Sequence, residues 1–329
     1  MGSNRFVRVF VVGLLSTGLM AMASALAWAD DGTVIIDFVR HAESIDNAAG
    51  IIDTNPPGTP LDSVGIEQAN TVANAIYDEY GNNIAELAAS QETRAQETAA
   101  PLADLLAQHG DHLAIDILPG LNEIPAGALE GSPTNSLEGL LYLVGPLSWV
   151  MGFPLMPDLG DPSFNGVLFD QTFGDAVQTI YDNTGTVASG TPADVAFSSA
   201  GSIAVWTMMN VNNPDFSVLL HEIATTGGFL PNTGQVVIEG QPGDWTLVSY
   251  DGVAVPADPG LGTELFVDFR NLIEAPQFAG YDIYEALLTG NTATIDSAIQ
   301  TGLTQVDTAL SQFPVEVFDQ IVTALGGSL

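Results

Sequence analysis

The chain has 329 residues, of which 40 are acidic, five are arginine and none is lysine or cysteine, so its formal net charge at pH 7 is −35. Nucleic acids and anionic membranes repel such a chain at long range, and without cysteine it has neither disulfides nor a lipid-modified cysteine. Salt screens charges beyond roughly 10 Å, so a local cationic pocket can still bind an anion. The length allows one large α/β domain or two smaller ones.

The first 29 residues have the pattern of a secretory signal peptide. Arg5 and Arg8 precede an uncharged apolar stretch that ends in the A-x-A site Ala27-Trp28-Ala29. We expect cleavage after Ala29; the alternative is a retained membrane anchor, which the small residues at this site disfavour. Cleavage removes two arginines and no acid, which takes the net charge to −37. The pattern therefore predicts a secreted or cell-envelope protein.

Predicted strands and helices alternate along the rest of the chain. A continuous apolar run at 33–39 is typical of a strand buried on both faces of a sheet, and further strands are predicted at 84–90, 113–119 and 193–199. Apolar residues at helical spacing predict helices at 65–81, 94–110 and 201–211. Segments 234–240 and 244–250 predict a hairpin with Pro-Gly in its turn. This order predicts an α/β fold, a three-layer α/β/α sandwich with a mostly parallel, doubly wound sheet.

Arg40 and His41 follow the first predicted strand directly, at the sheet edge where such folds bind ligands. A lone Arg-His pair is weak evidence, because a single histidine is more often structural than catalytic. Further segments follow in a fixed order, and the complete set is Arg40-His41-Ala42-Glu43-Ser44 with Asn47, Pro60-Leu61-Asp62 with Gly65 and Gln68-Ala69, Ser90 with Arg94-Ala95 and Glu97-Thr98-Ala99, Leu121-Asn122-Glu123 with Gly127 and Glu130-Gly131, and Ser198-Ser199-Ala200-Gly201. This set resembles the signature of the histidine phosphatase superfamily, in its phosphoglycerate mutase-like branch, over about residues 33–250.

The resemblance implies a phosphomonoesterase that works through a phosphohistidine at His41, with Glu123 as general acid and base and with no metal or cofactor. The implied substrate is a small phosphorylated molecule, and the residues implied to bind its phosphoryl group are Arg40, Asn47, Arg94 and Ser199. The chemistry is consistent, because an arginine fork bonds two phosphoryl oxygens at once. Neighbouring cations are also expected to lower the pKa of His41 and keep it nucleophilic.

One position departs from the family pattern. Ser199 stands where the family has a second histidine, so a hydroxyl that donates one hydrogen bond replaces a group that carries charge. Losing such a donor typically costs on the order of 10²–10³ in rate. The alternative function is therefore a weak or inactive pseudo-phosphatase that binds phosphorylated ligands. A glycolytic mutase conflicts with the export signal, and a purely structural envelope protein leaves the ordered motifs unexplained.

The sequence divides into a signal peptide at 1–29, a histidine phosphatase-like domain at 30–262 and a helical C-terminal extension at 263–329. A cap insertion at about 132–190 contains 139–157, nineteen residues without a charge. This stretch either packs over the sheet or forms an apolar lid that selects a phosphate carried by an apolar group.

Two features bear on membrane insertion and on the formation of oligomers. In the uncharged stretch, Gly145-Pro146 and Pro154 are expected to break a membrane-spanning helix, so no stable membrane insertion is predicted after signal cleavage. The helices predicted in the extension each have one apolar face. They are expected to dock on the main domain or on another subunit, which makes an oligomer through these helices one hypothesis.

Overall fold

The computed structural model describes residues 32–326, and the predicted signal peptide lies outside these residues. The strands in this part of the chain are β1 (Val34–Arg40), β2 (Ile84–Ala89), β3 (Ile115–Ile117), β4 (Ala193–Ser198), β5 (Gln235–Gln241), β6 (Asp244–Tyr250) and β7 (Val253–Ala254). The α-helices are α1 (Ile45–Ala49), α2 (Ser63–Tyr80), α3 (Thr93–Gln108), α4 (Leu137–Val150), α5 (Gly166–Asn183), α6 (Ala200–Asn210), α7 (Phe216–Thr226), α8 (Leu261–Thr289) and α9 (Thr292–Ala324).

The strands form one mixed sheet in the order β3-β2-β4-β1-β5-β6-β7. The first four strands of this order are mutually parallel, and β5, β6 and β7 each run antiparallel to the preceding neighbour. The predicted α/β fold with a mostly parallel central sheet is therefore confirmed. The predicted hairpin is also present as β5 and β6, although the third predicted strand is only three residues long.

Helices cover both faces of the sheet, which gives the three predicted layers. On β1, Val34, Ile36 and Phe38 pack in the core on the side of α5 and α6. Val39 points to the other face, where it packs with residues of α2 and α3. This alternation follows from the two-residue period of a strand. The buried strands read as continuous apolar runs because each of their faces meets a helix layer.

The parallel strands bring three motif segments to one edge of the sheet. Arg40 at the end of β1 pairs in register with Ser198 at the end of β4. The Ser90 amide, just past β2, donates to the Phe197 carbonyl at 3.0 Å, a distance typical of a sheet. His41 continues from β1, and its amide donates to the Ser198 carbonyl at 2.9 Å. Segments up to 158 residues apart in the sequence therefore meet at the carboxyl ends of the strands.

The uncharged cap segment forms α4 and the loop that follows it. Gly145-Pro146 does not interrupt the helix, because α4 continues through Pro146; the helix ends at Val150, before Pro154 and inside the uncharged stretch. Trp149 anchors the helix: it is completely buried, stacks on Phe169 with ring centroids 5.6 Å apart, and donates to the Met156 carbonyl at 2.7 Å. None of the helices within residues 32–326 combines the length and the apolar character needed to cross a membrane.

Helices α8 and α9 form a hairpin, and α8 docks on the rest of the structure. The Arg270 guanidinium donates to the Met208 carbonyl of α6 at 2.6 Å, and Gln277 donates to the Gly152 carbonyl at 2.8 Å. Gly302 of α9 faces Ala279 of α8, and a Cβ added at Gly302 would lie 3.0 Å from the Ala279 Cβ. The missing side chain therefore lets the two helices approach closely.

Two carboxyl groups are buried in the central strands. Burial raises the pKa of Asp37 on β1 to about 7 and that of Asp194 on β4 to about 8. Thr184 Oγ1 donates to Asp194 Oδ2 at 2.7 Å. An aspartate in the unfolded chain has a pKa of about 3.9. The folded state therefore binds these protons more tightly, so their contribution to the free energy of unfolding is lost as the pH rises from about 4 towards 8.

Replacing Trp149 by alanine should lower the free energy of unfolding by about 3–5 kcal/mol, because it leaves a large cavity in the core. Chemical denaturation monitored by circular dichroism measures this change. Phe153→Ala is the matched control, since Phe153 is 55% exposed and its loss should change stability by less than about 0.5 kcal/mol. Equal effects of the two substitutions would contradict the assigned packing.

Asp194→Asn keeps an acceptor oxygen for Thr184 but removes the titrating group. The variant should lose less stability than the wild type as the pH is raised from about 4 to 8. Urea unfolding at several pH values in this range checks the prediction, with Asp78→Asn on the exposed face of α2 as the control. A wild-type stability that increases steadily across the same range would show that Asp194 is ionised in the folded protein.

Candidate active site

His41 lies at the centre of the candidate site, immediately after β1. It is 3% exposed, and its Nδ1 lies 2.8 Å from the Ala42 carbonyl. A carbonyl only accepts, so Nδ1 carries the ring proton and Nε2 keeps its lone pair. Burial, followed by the charges of Arg94 and Arg40, holds the pKa of His41 well below 6.5. The ring is therefore neutral at physiological pH, and burial contributes more to this than the cations expected from the sequence.

Arg40 and Asn47 form one side of the site. The Arg40 guanidinium donates to the Leu230 carbonyl at 2.5 Å and to Asn47 Oδ1 at 3.5 Å. Asn232 Nδ2 donates at 3.2 Å to both Asn47 Oδ1 and the His41 carbonyl. Because two donors occupy the Asn47 oxygen, its NH₂ group is the end left to donate to a ligand. Burial lowers the pKa of Arg40 to about 10, so the guanidinium stays charged at neutral pH.

Arg94 forms the opposite side of the site from the first turn of α3. Its buried guanidinium lies 3.3 Å from Asp53 Oδ2, through Nη1, and donates to Ser199 Oγ at 3.5 Å through Nη2. Gly58 belongs to the same covering loop as Asp53, and a Cβ there would lie 2.6 Å from Arg94 Nη1. A glycine at this position lets the loop contact the guanidinium. A ligand bound to Arg94 would therefore share it with Asp53.

Glu123 lies against the first turn of α6, next to Ser199. Its Oε1 accepts from the amides of Ile124 at 2.9 Å and Ser202 at 3.1 Å, and from the Ser202 hydroxyl at 3.0 Å. Its Oε2 has a longer contact of 3.4 Å with the Gly201 amide. A Cβ on Gly201 would lie 2.8 Å from Glu123 Oε1, so a glycine is needed for this approach. The carboxylate is held firmly by one oxygen, and the other oxygen is the freer of the two.

Other motif residues hold the loops of the site in place. Thr98 Oγ1 accepts from the Ala42 amide at 2.9 Å and donates to the Arg94 carbonyl at 2.6 Å, which links the His41 segment to α3. Glu97 accepts from the Leu61 amide at 2.8 Å, and Glu130 accepts from the amide of Thr54 at 2.9 Å. These side chains support the backbone around the site.

Sequence reasoning missed three polar residues of the site, namely Asp53, Glu92 and Asn232. Glu92 is completely buried; its Oε1 accepts from the Glu123 amide at 2.9 Å and lies 3.9 Å from Arg94 Nη2. Burial raises the pKa of Glu92, and the Arg94 charge opposes that rise. The signal that could have identified Glu92 is an acid two residues before the motif arginine, Arg94. Asp53 and Asn232 lie in loops without a comparable signal.

The structure brings all six predicted site residues to one sheet edge: His41, Glu123, Arg40, Asn47, Arg94 and Ser199. Three other histidines lie elsewhere, and one of them, His112, is exposed just before β3. His109 stacks on Tyr77 at the far end of α3, with centroids 4.6 Å apart, and His221 is exposed on α7. None of them replaces the imidazole that is absent at Ser199.

Part of this chain is similar to a known protein family. Residues 36–141 match the histidine phosphatase superfamily (branch 1), and this range contains His41, Arg94 and Glu123. This segment therefore resembles a histidine phosphatase domain. That family supports a phosphatase-type function in general terms.

Two curated relatives and one solved structure show how far the similarity extends. The PE-PGRS family protein PE_PGRS11 of Mycobacterium tuberculosis strain H37Rv is 48% identical over 303 residues, which cover 89% of this chain and 49% of that protein. Protein Rv0525 of the same strain is 35% identical over 127 residues, or 39% of this chain and 57% of that protein. The chain thus spans about half the length of these relatives. The structure of Mycobacterial hydrolase 1, 17% identical, has the same fold, with a TM-score of 0.50 over 68% of this chain and all of that one.

Proposed function

We propose that this histidine phosphatase domain is an exported phosphomonoesterase that works through a phosphohistidine at His41. The observation that carries the proposal is the state of His41, a buried and neutral imidazole between two guanidinium groups with Nε2 free of its proton. Such a ring is a nucleophile, and the charges beside it match the dianion of a phosphate monoester. Export is proposed from the N-terminal pattern alone.

In the first step, Nε2 of His41 attacks phosphorus, and the bond from phosphorus to the leaving oxygen breaks. Arg40, Arg94 and the Asn47 amide bind the phosphoryl oxygens. The leaving alkoxide takes a proton from Glu123, for which Oε2 is the available oxygen because Oε1 accepts from the amides of Ile124 and Ser202. The products of this step are the free alcohol and phosphohistidine.

In the second step, water attacks the phosphorus of the phosphohistidine. The Glu123 carboxylate accepts the proton of this water, the bond between Nε2 and phosphorus breaks, and inorganic phosphate leaves. Glu92 is assigned a positioning role, because it accepts from the Glu123 amide and borders Arg94. The proposed substrate is a small phosphorylated molecule.

Ser199 supports a second candidate, a pseudo-phosphatase that binds phosphorylated ligands with little turnover. Its hydroxyl oxygen accepts from Arg94, so its proton remains available to donate to a phosphoryl oxygen. It supplies no positive charge, however, and the transition state spreads negative charge over those oxygens. The two candidates share the same site and differ only in rate.

Hydrolysis of an aryl phosphate separates these candidates. The wild type should release phosphate slowly, His41→Ala should abolish release, and Ser199→His should raise kcat on the order of 10²-fold by restoring a charged donor. His109→Ala, an exposed histidine, is the matched control and should leave kcat unchanged. Release that persists in His41→Ala would refute the phosphohistidine. Binding of inorganic phosphate without turnover in the wild type would favour the pseudo-phosphatase.

Gly201→Ala tests the placement of Glu123. The added Cβ would lie 2.8 Å from Glu123 Oε1 and displace the carboxylate, so kcat for the aryl phosphate should fall at least about 10-fold while KM changes little. Gly174→Ala on α5 is the matched control, because its Cβ would meet only Trp206 Nε1, at 3.7 Å. Unchanged kcat in a correctly folded Gly201→Ala would argue against Glu123 as the general acid.

A further inference from the structure

One face of α4 exposes a row of large apolar side chains to solvent. The row consists of Leu137, Leu140, Val144, Leu147 and Met151, which are between 39% and 66% exposed. Their spacing alternates between three and four residues, the pattern of a seam along which one helix packs on another. We call this row the α4 seam.

The α4 seam points away from the active site. Successive residues of a helix are rotated by about 100°, which places Val144 about 160° from Tyr142. Tyr142 faces inward, and its hydroxyl donates to the Ile124 carbonyl, next to Glu123, at 2.6 Å. Trp149, on the same inner face, is completely buried. The exposed apolar side chains of α4 therefore do not form the apolar lid considered from the sequence, and nothing in their direction relates them to the substrate.

Further exposed apolar side chains follow α4 in the chain. Phe153, Leu155, Met156 and Leu159 follow the α4 seam in the chain and are between 38% and 55% exposed. Together, the nine side chains present on the order of 700–800 Å² to water, close to the roughly 800 Å² that each partner contributes to a standard interface. Their combined area exceeds the few hundred Å² that most monomers leave exposed in one apolar patch.

The distribution of charge along the chain favours a second copy of the same chain as the partner of this surface. In a chain of net charge −35, residues 139–157 carry no charge, so two copies can meet there with the least repulsion. The exposed apolar side chains of α9 are less suitable for self-association. That helix carries four acids and no base along its length, namely Asp296, Asp307, Glu316 and Asp319.

We propose that two copies of the chain form a dimer in which the α4 seams pack against each other across a twofold axis. A twofold pair uses the same surface on both copies, and two helices related in this way run antiparallel. Val144, the central residue of the seam, then lies next to the axis and near its own counterpart. The interface leaves both active sites open, because the seam faces away from Tyr142 and Glu123.

A single cysteine at the seam tests this geometry, because the native chain has no cysteine. Val144→Cys in the full chain, treated with a short bis-maleimide that spans the about 8–10 Å between packed helix axes, should give a covalent dimer. Leu310→Cys on the exposed face of α9 is the matched control and should give no covalent dimer. Cross-linking of Leu310→Cys alone would overturn the proposal.

Sedimentation of the wild type supplies the second measurement. It should be dimeric at micromolar concentration, and moderate salt should tighten the dimer by screening the repulsion between the acidic surfaces. Leu140→Glu with Leu147→Glu should yield a folded monomer with unchanged aryl phosphatase activity, whereas Leu303→Glu with Leu310→Glu on α9 should stay dimeric. Circular dichroism checks folding, and Leu140→Gln is the milder variant if the double change unfolds the chain.

Three outcomes would refute the α4 dimer. These are a monomeric wild type, a dimer that survives the α4 changes, and a monomer that uses the α4 seam to bind neutral phosphatidylcholine vesicles. None of them bears on the phosphatase proposal, since the seam lies outside the active site.

Discussion

The central constraint on this structure is the scarcity of positive charge. Among residues 32–326 the basic side chains other than histidine are three arginines, and none of them is exposed. Arg40 and Arg94 lie on two sides of His41, and Arg270 joins α8 to the main body. Because Coulomb interactions are strong inside a protein and weak at its surface, two buried arginines can bind an anion despite the acidic exterior.

The same burial determines the state of His41. Removing an imidazole from water disfavours its charged form, and two neighbouring cations disfavour it further. The hydrogen bond from His41 Nδ1 to the Ala42 carbonyl then selects the tautomer. The backbone around His41 is itself held by residues from other segments, Thr98 and Asn232. The histidine therefore depends on long-range contacts for its orientation.

The first turn of α6 combines the contacts that hold Glu123 with the departure from the family pattern. Its free amides and the Ser202 hydroxyl hold Glu123, which requires the small Gly201. Directly before this turn, Ser199 contacts Arg94 at the position where the resemblance implies a second histidine. Glu123, Arg94 and Ser199 thus meet at one helix terminus, where a serine in place of an imidazole changes the charge and leaves these contacts in place.

Local sequence patterns were sufficient for much of the fold. The apolar run before Arg40, the Asp62 cap of α2 and the Pro-Gly turn between β5 and β6 depend on neighbouring residues alone, so they were predictable. The six predicted site residues could be named because their motifs follow the order of the family signature that the chain resembles. Asp53, Glu92 and Asn232 were missed because their roles arise from partners brought together by the sheet. Tertiary packing also decided that α4 runs through Pro146, with its inner face anchored by Trp149. It likewise decided which way the α4 seam points. No local sequence pattern contains that information, because the direction of a helix face depends on what the helix packs against.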